Sequence, residues 1–443
     1  MIKLRPSARA IAAYVFDRVE SEDAFAAAVL DAALERYPEL DPRERALATE
    51  LTYGALRTAP YLESRLKKHA ARERKLDRIA RAHLIVAAYQ LAFLERVPAF
   101  AAVSEAVRQI NDARGRRVGA FANAVLRRIA EETAAIDKRA ELEKATRESV
   151  SGELCEALNR SLGAEQGDAF LTPFGAPPIG LRVHVGDDRE QMLARLRAEG
   201  QATFEPGQVS PLAITMRAGN DPQKLAAYRE GRVAIHEEGA QVIALALGAA
   251  RGESVLDACA GRGNKTSLLA ECVGPSGAVD AADQHPQKLA RLATELSRIE
   301  LRVRATFGVD WTVGPGDVPS GYDRVLVDAP CSGIGTIRRR PDLATRWRAG
   351  NVADFAERQL AILVAAAERA RPGGAIVYAV CSVLREECED VVARATARVP
   401  WLAVAPFAGE PARRLAGEAS TLRLLPQVHG TDGYFLASLR RRP

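Results

Sequence analysis

The sequence predicts an all-α leader, then a small α/β insert, then a doubly wound, Rossmann-like α/β domain. Three observations carry this. Residues 1–135 repeat apolar side chains at helical spacing and hold no strand-like run. Residues 176–235 alternate short strands with a helix and a helical turn. From about residue 240, short apolar runs end in turns rich in Gly, Asp and Cys that open onto helices, the rhythm of parallel strands with crossover helices. The parts are bounded at 1–135, a linker at 136–175, the insert at 176–235 and the last domain at 236–443, because 443 residues exceed what one core organises.

Bulk properties exclude several classes. The most apolar stretch, residues 83–94, is broken by Gln90 and flanked by Arg81 and Glu95, so it reads as a buried helix and not a membrane span. Met1-Ile2-Lys3-Leu4-Arg5-Pro6 opens no signal-peptide pattern, and the expected compartment is the cytoplasm. The six cysteines form no C-x-x-C pair and no zinc spacing with histidine, so reduced thiols and no metal are expected. The net charge of +5 permits nucleic-acid binding without requiring it. No obligate protein partner is indicated.

In the leader, Ile11, Val15, Phe16 and Val19 form one face of a first helix. Asp41-Pro42-Arg43-Glu44 starts another, with Asp41 as N-cap and Pro42 at the first helical position, and Leu47, Leu51 and Leu56 continue it. Further helices are expected over 76–94, from about Ala101 through Ile110, and over 118–129. The last would end at Arg127-Arg128, where positive charge suits a helix C-terminus. Arg108, Arg114, Arg116, Arg117, Arg127 and Arg128 either solvate helix faces, the commoner case on composition, or hold RNA phosphates. The stretches 40–54 and 96–107 and the run Phe121-Ala122-Asn123-Ala124-Val125-Leu126-Arg127-Arg128 resemble the NusB-like domain of bacterial rRNA cytosine-5 methyltransferases. That resemblance implies an RNA-binding helical bundle.

Residues 136–174 are charged and helical, then lose pattern at Thr172-Pro173-Phe174-Gly175-Ala176-Pro177-Pro178, as a domain connection does. Ile179, Leu181, Val183 and Val185 alternate with polar neighbours as a half-buried strand. A helix over Arg189–Glu199 is closed by Gly200, strands follow near 202–204 and 212–216, and a helical turn spans 222–228. The order suits a ferredoxin-like or RNA-recognition-like unit, although the aromatic signature of a base-stacking platform is missing. His236 opens the last domain; a structural role is expected for it over that of a base, since nothing nearby in sequence pairs with it.

There, Ser254-Val255-Leu256 leads into Asp257-Ala258-Cys259-Ala260-Gly261-Arg262-Gly263-Asn264-Lys265-Thr266, and a helix is expected from about Thr266. Glycines at a strand-to-helix turn admit a ligand close to the backbone. The pair Gly261 and Gly263 alone suits any nucleotide. Asp283 ends the next strand, about 20 residues on, where a carboxylate grips a ribose diol; Asp280 is the weaker choice. Asp310 follows a third strand over 303–307, placed for the adenine or amine end of a cofactor. Lys265-Thr266 lacks the spacing of a phosphate-binding P-loop, which disfavours ATP hydrolysis.

Two more strands end in Asp328-Ala329-Pro330-Cys331-Ser332-Gly333 and Tyr378-Ala379-Val380-Cys381-Ser382. Two thiols and a carboxyl at two strand tips suit methylation of cytosine. Carbon 5 of cytosine is not nucleophilic until a thiolate adds to carbon 6. A carboxyl such as Asp328 can then donate to ring nitrogen 3. A second cysteine can assist loss of the carbon-5 proton and expulsion of the first.

Both motifs, with Ile337-Arg338-Arg339-Arg340-Pro341-Asp342 and Gly430-Thr431-Asp432-Gly433-Tyr434-Phe435, resemble those of RNA 5-methylcytosine methyltransferases. The resemblance spans nearly the whole chain, and the NusB-like leader narrows it to enzymes that modify small-subunit (16S) rRNA. It implies a class I methyltransferase domain. It also implies Cys381 as the attacking thiol, Cys331 as the aid to release and S-adenosylmethionine as donor. The donor would be held by Cys259, Ala260, Gly261, Arg262, Gly263, Asn264 and Lys265 and by Asp283, Asp310 and Asp328. Two positions depart from the family pattern. Asn264 stands where the loop usually has Gly, and Asn tolerates left-handed backbone better than most residues. Val380 stands where Thr usually precedes the cysteine. Cys155, Cys272 and Cys388 read as small apolar fillers, and Cys259 as contributing backbone more than sulfur. Arg338, Arg339, Arg340, Arg346 and Arg348, interleaved with Trp347, follow Cys331 and are expected to grip phosphate beside the crevice.

Two other readings compete. An RNA-binding factor with a degenerate, non-catalytic methyltransferase domain would rest on the altered glycine loop. A small-molecule methyltransferase would leave the leader and the paired cysteines unexplained.

Overall fold

The helix that was weighed as a membrane span instead centres a bundle. A computed structural model describes residues 7–22, 24–69, 77–172, 177–200, 202–217 and 221–443. The opening six residues, the expected helix start at Leu76 and Pro173 to Ala176 of the linker lie outside the described residues.

The helices run α1 (Ala8–Glu22), α2 (Ala26–Arg36), α3 (Pro42–His69), α4 (Arg78–Phe93), α5 (Ala99–Arg114), α6 (Arg116–Thr133) and α7 (Lys138–Glu148). From Ala80 to Phe93 every residue of α4 except Arg81 is buried, as expected of a helix that is apolar all round. It packs on α1, α3, α5 and α6. Asp77 caps it by accepting the Ile79 and Ala80 N–H groups. Asp41 likewise accepts the Glu44 N–H at 2.8 Å at the start of α3. Gly54 lets α4 cross α3, since a Cβ there would lie 2.0 Å from the Tyr89 ring. The helix α6 runs four residues past Ile129, so Arg127 and Arg128 are exposed in its body and the expected charge–dipole pairing at its end does not occur. Nor was α2 read from the sequence. The helices α8 (Gly152–Leu162) and α9 (Ala164–Phe170) complete the stretch 136–172.

By contact the chain forms two compact units. One comprises Met1–Glu156, Leu171–Gly175 and Ile337–Trp347; the other comprises Ala157–Phe170, Ala176–Thr336 and Arg348–Pro443. The second begins its sheets with β1 (Ile179–Val183), α10 (Arg189–Glu199), β2 (Thr203–Pro206), β3 (Ala213–Arg217), a 3₁₀ turn, α11 (Ala226–Arg229) and β4 (Val233–Ile235). These strands form an antiparallel sheet in the order β2-β3-β1-β4. With its βαββαβ connectivity this is the ferredoxin-like arrangement. The expected half-buried strand is corrected: β1 is buried on both faces, with Arg182 fully enclosed.

The larger sheet follows: α12 (Glu238–Ala246), β5 (Ser254–Asp257), α13 (Asn264–Val273), β6 (Ala278–Asp283), α14 (Pro286–Arg298), β7 (Ala305–Gly308) and β8 (Tyr322–Asp328). Then come α15 (Asp342–Arg346), α16 (Ala349–Ala367), β9 (Ala370–Val380), α17 (Glu389–Arg398), β10 (Leu402–Val404), α18 (Ala412–Ala416), β11 (Thr421–Leu424), α19 (Pro426–His429) and β12 (Tyr434–Arg441). The strands lie in the order β10-β12-β9-β8-β5-β6-β7, with β11 on β12. From β7 to β9 they are parallel, and β12 is antiparallel to β9. The strand order reverses between β5 and β8, the point at which open α/β sheets bind ligands beyond their strand ends.

Arg182 fastens the small sheet to α13. Its guanidinium donates to Glu271 at 2.6 Å and to Ser267 at 3.2 Å. His184 reaches the same carboxylate at 2.8 Å and the Gly231 carbonyl at 2.6 Å. Burial opposes ionisation of Glu271, but His184 and Arg182 outweigh it and hold the carboxyl down at about 2.

Residues 337–347, whose arginines were expected to grip phosphate, do not form a solvated loop. Leu343 and Trp347 are buried, Asp342 is 1% exposed, Arg57 donates to the Arg338 carbonyl at 3.2 Å, and the Arg340 guanidinium lies over the Phe25 ring. This segment packs within the helical unit. The side chain of Arg346 is outside the described residues.

Candidate active site

Cys331 and Cys381 meet. Their sulfurs are 3.1 Å apart, a thiol hydrogen-bond distance. The apolar run of β9 extends to Val380, so Cys381 is the first residue past the strand, and β8 ends at Asp328, three residues before Cys331. The β8–β9 register sets Asp328 opposite Ala379, and the Ala329 N–H donates to the Ala379 carbonyl at 2.9 Å, so the two loops leave the sheet together. The Gly335 N–H then reaches the Cys381 carbonyl at 3.0 Å, and the Gly433 N–H reaches the Gly335 carbonyl at 2.8 Å. A Cβ on Gly335 would lie 1.9 Å from the Gly433 oxygen, which is why the loop needs glycine at that crossing. Val380 is fully buried against its β12 partner Phe435, an apolar place that accepts Val readily.

The Cys331 thiol is pushed well up, first by its hydrogen bond to Cys381, then by burial and nearby negative charge. It therefore keeps its proton and can donate it to the Cys381 sulfur. Lys265, expected in the donor loop, donates its ammonium to Asp328 at 2.6 Å. Burial alone would lower this group; Asp328 outweighs it and, with Asp257 and Cys381, holds the ammonium above its ordinary value.

The glycine loop joins β5 to α13. Gly261 and Gly263 take φ of 57° and 93°, the left-handed region that costs glycine nothing. Asn264 does not use the tolerance expected of it. It is the first residue of α13, which thus starts two residues before Thr266, and its amide donates to the Ile235 carbonyl at 3.2 Å. A Cβ on Gly263 would strike Leu292 of α14 at 2.7 Å, whereas one on Gly261 would meet nothing nearer than 4.0 Å. Gly263 serves close packing, and the backbone at Gly261 faces open space. Arg262 is exposed. The Ala260 N–H holds the Ala282 carbonyl at 2.8 Å. Burial pushes the Cys259 thiol well up, with Asp328 next among the causes, consistent with a backbone role.

Asp283 ends β6 and is 7% exposed; its carboxylate accepts the Gly261 N–H at 3.0 Å and the His285 N–H at 2.8 Å. Asp280 drops out as an alternative, because Arg304 and the Tyr322 hydroxyl occupy it at 3.0 and 2.6 Å. Asp310 is exposed and folds back on Thr312, which lowers its carboxyl below the ordinary range, while Trp311 anchors the same loop by donating to the Ala258 carbonyl at 2.7 Å. A glycine turn with an open face, a helix N-terminus and a backbone-fixed carboxylate at the neighbouring tip fit a nucleoside-bearing methyl donor.

Two residues escaped the sequence reading. Asp257 at the β5 tip is 1% exposed and takes the Thr266 hydroxyl at 2.7 Å; burial pushes its carboxyl up to about 6, against the lowering effect of Thr266. Glu387 is fully buried beside the thiols. The only sequence signals were an acidic residue ending an apolar strand and a charge run six residues past Cys381. His236 is 1% exposed, with neither ring nitrogen hydrogen-bonded among the described residues, and burial draws it well below its ordinary value. No group of three His, Cys, Asp or Glu suited to a metal, and no helix long and apolar enough to cross a membrane, occurs among the described residues.

Comparison with known proteins agrees with the geometry. Residues 244–440 match the family described as 16S rRNA methyltransferase RsmB/F, and residues 6–131 match the NusB family. Ribosomal RNA small subunit methyltransferase B of Vibrio cholerae is 32% identical over 412 residues, 91% of each chain. The Bacillus subtilis protein named "Probable ribosomal RNA small subunit methyltransferase B" is 30% identical over 99% of each. The crystal structure of PH0851 has the same fold, with a TM-score of 0.80 at 23% identity over 99% of this chain and 100% of that one. A NusB-like helical region, a class I methyltransferase sheet and a relative matched along nearly its whole length lead to one conclusion: the chain belongs to the 16S rRNA methyltransferase RsmB/F family of S-adenosylmethionine-dependent methyltransferases.

Proposed function

We propose that the protein methylates carbon 5 of a cytidine in 16S rRNA through a covalent cysteine–base adduct. The observation that carries this is the pair of thiols at 3.1 Å on adjacent strand tips beside the Lys265–Asp328 ion pair. S-adenosylmethionine, when bound, supplies an electrophilic methyl group. Asp283 would hold its ribose, Asp310 its adenine or amine end, and residues 259–265 would contribute the loop that holds the rest. Cys381, as the thiolate, adds to carbon 6 of the cytosine. The Lys265–Asp328 pair supplies the proton that ring nitrogen 3 takes up, which leaves an enamine nucleophilic at carbon 5. After methylation, the bond from carbon 6 to the Cys381 sulfur breaks as that sulfur takes the Cys331 proton, the Cys331 sulfur takes up the carbon-5 proton, and nitrogen 3 returns its proton to the Lys265–Asp328 pair.

The target base must leave its stack to reach Cys381, so the substrate is a loop or an opened helix. In the division at 1–135, 176–235 and 236–443, the leader binds RNA. The exposed Arg116, Arg117, Arg127 and Arg128 meet phosphates, whereas Arg114 is tied to Asp77 and Arg108 to Glu105. The setting is the cytoplasm.

Bisulfite sequencing of 16S rRNA from cells with and without the gene tests the product: one cytidine protected only when the gene is present. With transcribed 16S rRNA and donor, Cys331→Ala is expected to accumulate a protein–RNA adduct on denaturing gels, and Cys381→Ala to form none. The reverse outcome would exchange the two roles. Absence of S-adenosylmethionine binding by calorimetry would favour the non-catalytic RNA-binding reading.

A further inference from the structure

Cys331 and Cys381 are each followed by serine, and one carboxyl group holds both serines. Glu387 Oε1 accepts the Ser332 N–H at 2.8 Å, and Oε2 accepts the Ser332 hydroxyl at 2.5 Å and the Ser382 hydroxyl at 2.5 Å. Gln359 of α16 completes the set, donating to Oε1 at 3.0 Å and to the Pro330 carbonyl at 3.0 Å. The Tyr378 hydroxyl pins the Glu387 carbonyl at 2.7 Å. Glu387 is fully buried, and no lysine, arginine or histidine pairs with it among the described residues. Its partners are therefore neutral donors from the two cysteine loops and from the helix behind them.

A buried carboxyl without a cation is costly unless its acceptor sites are filled, and hydrogen bonds to such a group are among the stronger ones in a protein. Apolar packing at this position would have been simpler if only the fold were at stake. The carboxyl bridges the residue after each thiol, so the 3.1 Å sulfur–sulfur separation depends on it. We propose that Glu387 is a positioning residue for the release step, holding the Cys331 loop in register with the Cys381 loop so that the second thiol reaches the adduct made by the first. This rests on the covalent reading above. Attack needs only Cys381, whose place is set by the end of β9. Release needs both loops in register, so loosening the bridge slows release more than attack.

The test compares Glu387→Gln, Ser332→Ala, Cys331→Ala and the unaltered full-length protein on transcribed 16S rRNA with S-adenosylmethionine. It measures the fraction of enzyme in adduct, methyl groups released per minute and the KM for the donor. Glu387→Gln is expected to raise the ratio of adduct to released product about tenfold, since misplacements under an ångström cost factors of this order. The donor KM should stay within about twofold of its starting value, because the glycine-loop side is untouched. Ser332→Ala, a milder lesion on the Cys331 side, should shift the ratio in the same direction. A purely structural role would lower adduct and product together and leave the ratio unchanged, which overturns the proposal. If Glu387→Gln does not fold, the Ser332→Ala ratio decides. If Cys331→Ala traps adduct while the other two variants do not, this inference alone falls. If Cys331→Ala traps none, the assignment of release to Cys331 falls, and this inference with it.

Discussion

The two sides of the strand-order reversal are built differently. On the β5–β7 side, contacts run through backbone: the Gly261 and His285 N–H groups on Asp283, the Ala260 N–H on Ala282 and an open face at Gly261. On the β8–β9 side they run through side chains: thiol to thiol, Lys265 to Asp328, and two serines to Glu387. A backbone cradle tolerates changes in side chain. This explains how Asn264 can stand in the loop without disturbing it, since both left-handed positions remain glycine. The thiol side has no such latitude, because its contacts are made by the side chains themselves.

The sharpest way to break this contrast is to remove one cysteine from each side. Cys381→Ala is expected to lower kcat/KM roughly 10⁴-fold or more, the scale of losing a nucleophile, while Cys259→Ala stays within a few-fold in the same steady-state assay. Comparable losses would mean that the Cys259 sulfur takes part. Next comes Asp283→Ala, which removes an acceptor from the expected ribose position. The donor KM should rise about 10- to 100-fold with a smaller change in kcat, as fits one or two lost charge-assisted hydrogen bonds.

Asp257 supplies a prediction in stability. Its folded value of about 6 lies above the ordinary 3.8, so ionisation costs more in the fold than in the unfolded chain. The penalty is absent below about pH 4, grows as pH rises to 6 and is constant above, reaching ~3 kcal/mol. Asp257→Asn should therefore raise the denaturation midpoint at pH 8 and lose that advantage at pH 4, as measured by urea titration at both. The smallest effect belongs to Asn264→Gly. It removes the bond to Ile235 and adds a flexible residue at a helix start, and should cost about 1 kcal/mol by thermal or urea denaturation with little change in donor KM. A large rise in KM would show that Asn264 touches the donor.

Much of this site could be read from the chain because strand ends are local events. The apolar runs before Asp328 and Cys381 and the glycines at 261 and 263 each announce themselves within a few residues. Asp41 announced a helix start in the same way, accepting the Glu44 N–H group. What could not be read depends on distant partners. Arg182 looked like the polar side of a half-exposed strand until Glu271 and Ser267, more than eighty residues away, proved to cover it. Residues 337–347 read as a basic loop, although the Arg338 carbonyl is met by Arg57 and the Arg340 guanidinium lies over the Phe25 ring. Glu387 and Asp257 are charges buried by surroundings that no short window contains, and Asn264 was assigned a backbone conformation that belongs to its neighbour.

The Arg182–Glu271 pair also bears on how such proteins can be recombined. A guanidinium sealed inside the fold requires its carboxylate, and removing either partner of a buried pair costs several kcal/mol. The ferredoxin-like sheet is thus no cassette that can be exchanged between relatives at its own borders. A chimera spliced at residue 235 would leave one half of the pair without the other unless α13 travelled with it. Because α13 begins at the glycine loop, a change at Arg182 in the small sheet is coupled through α13 to that loop.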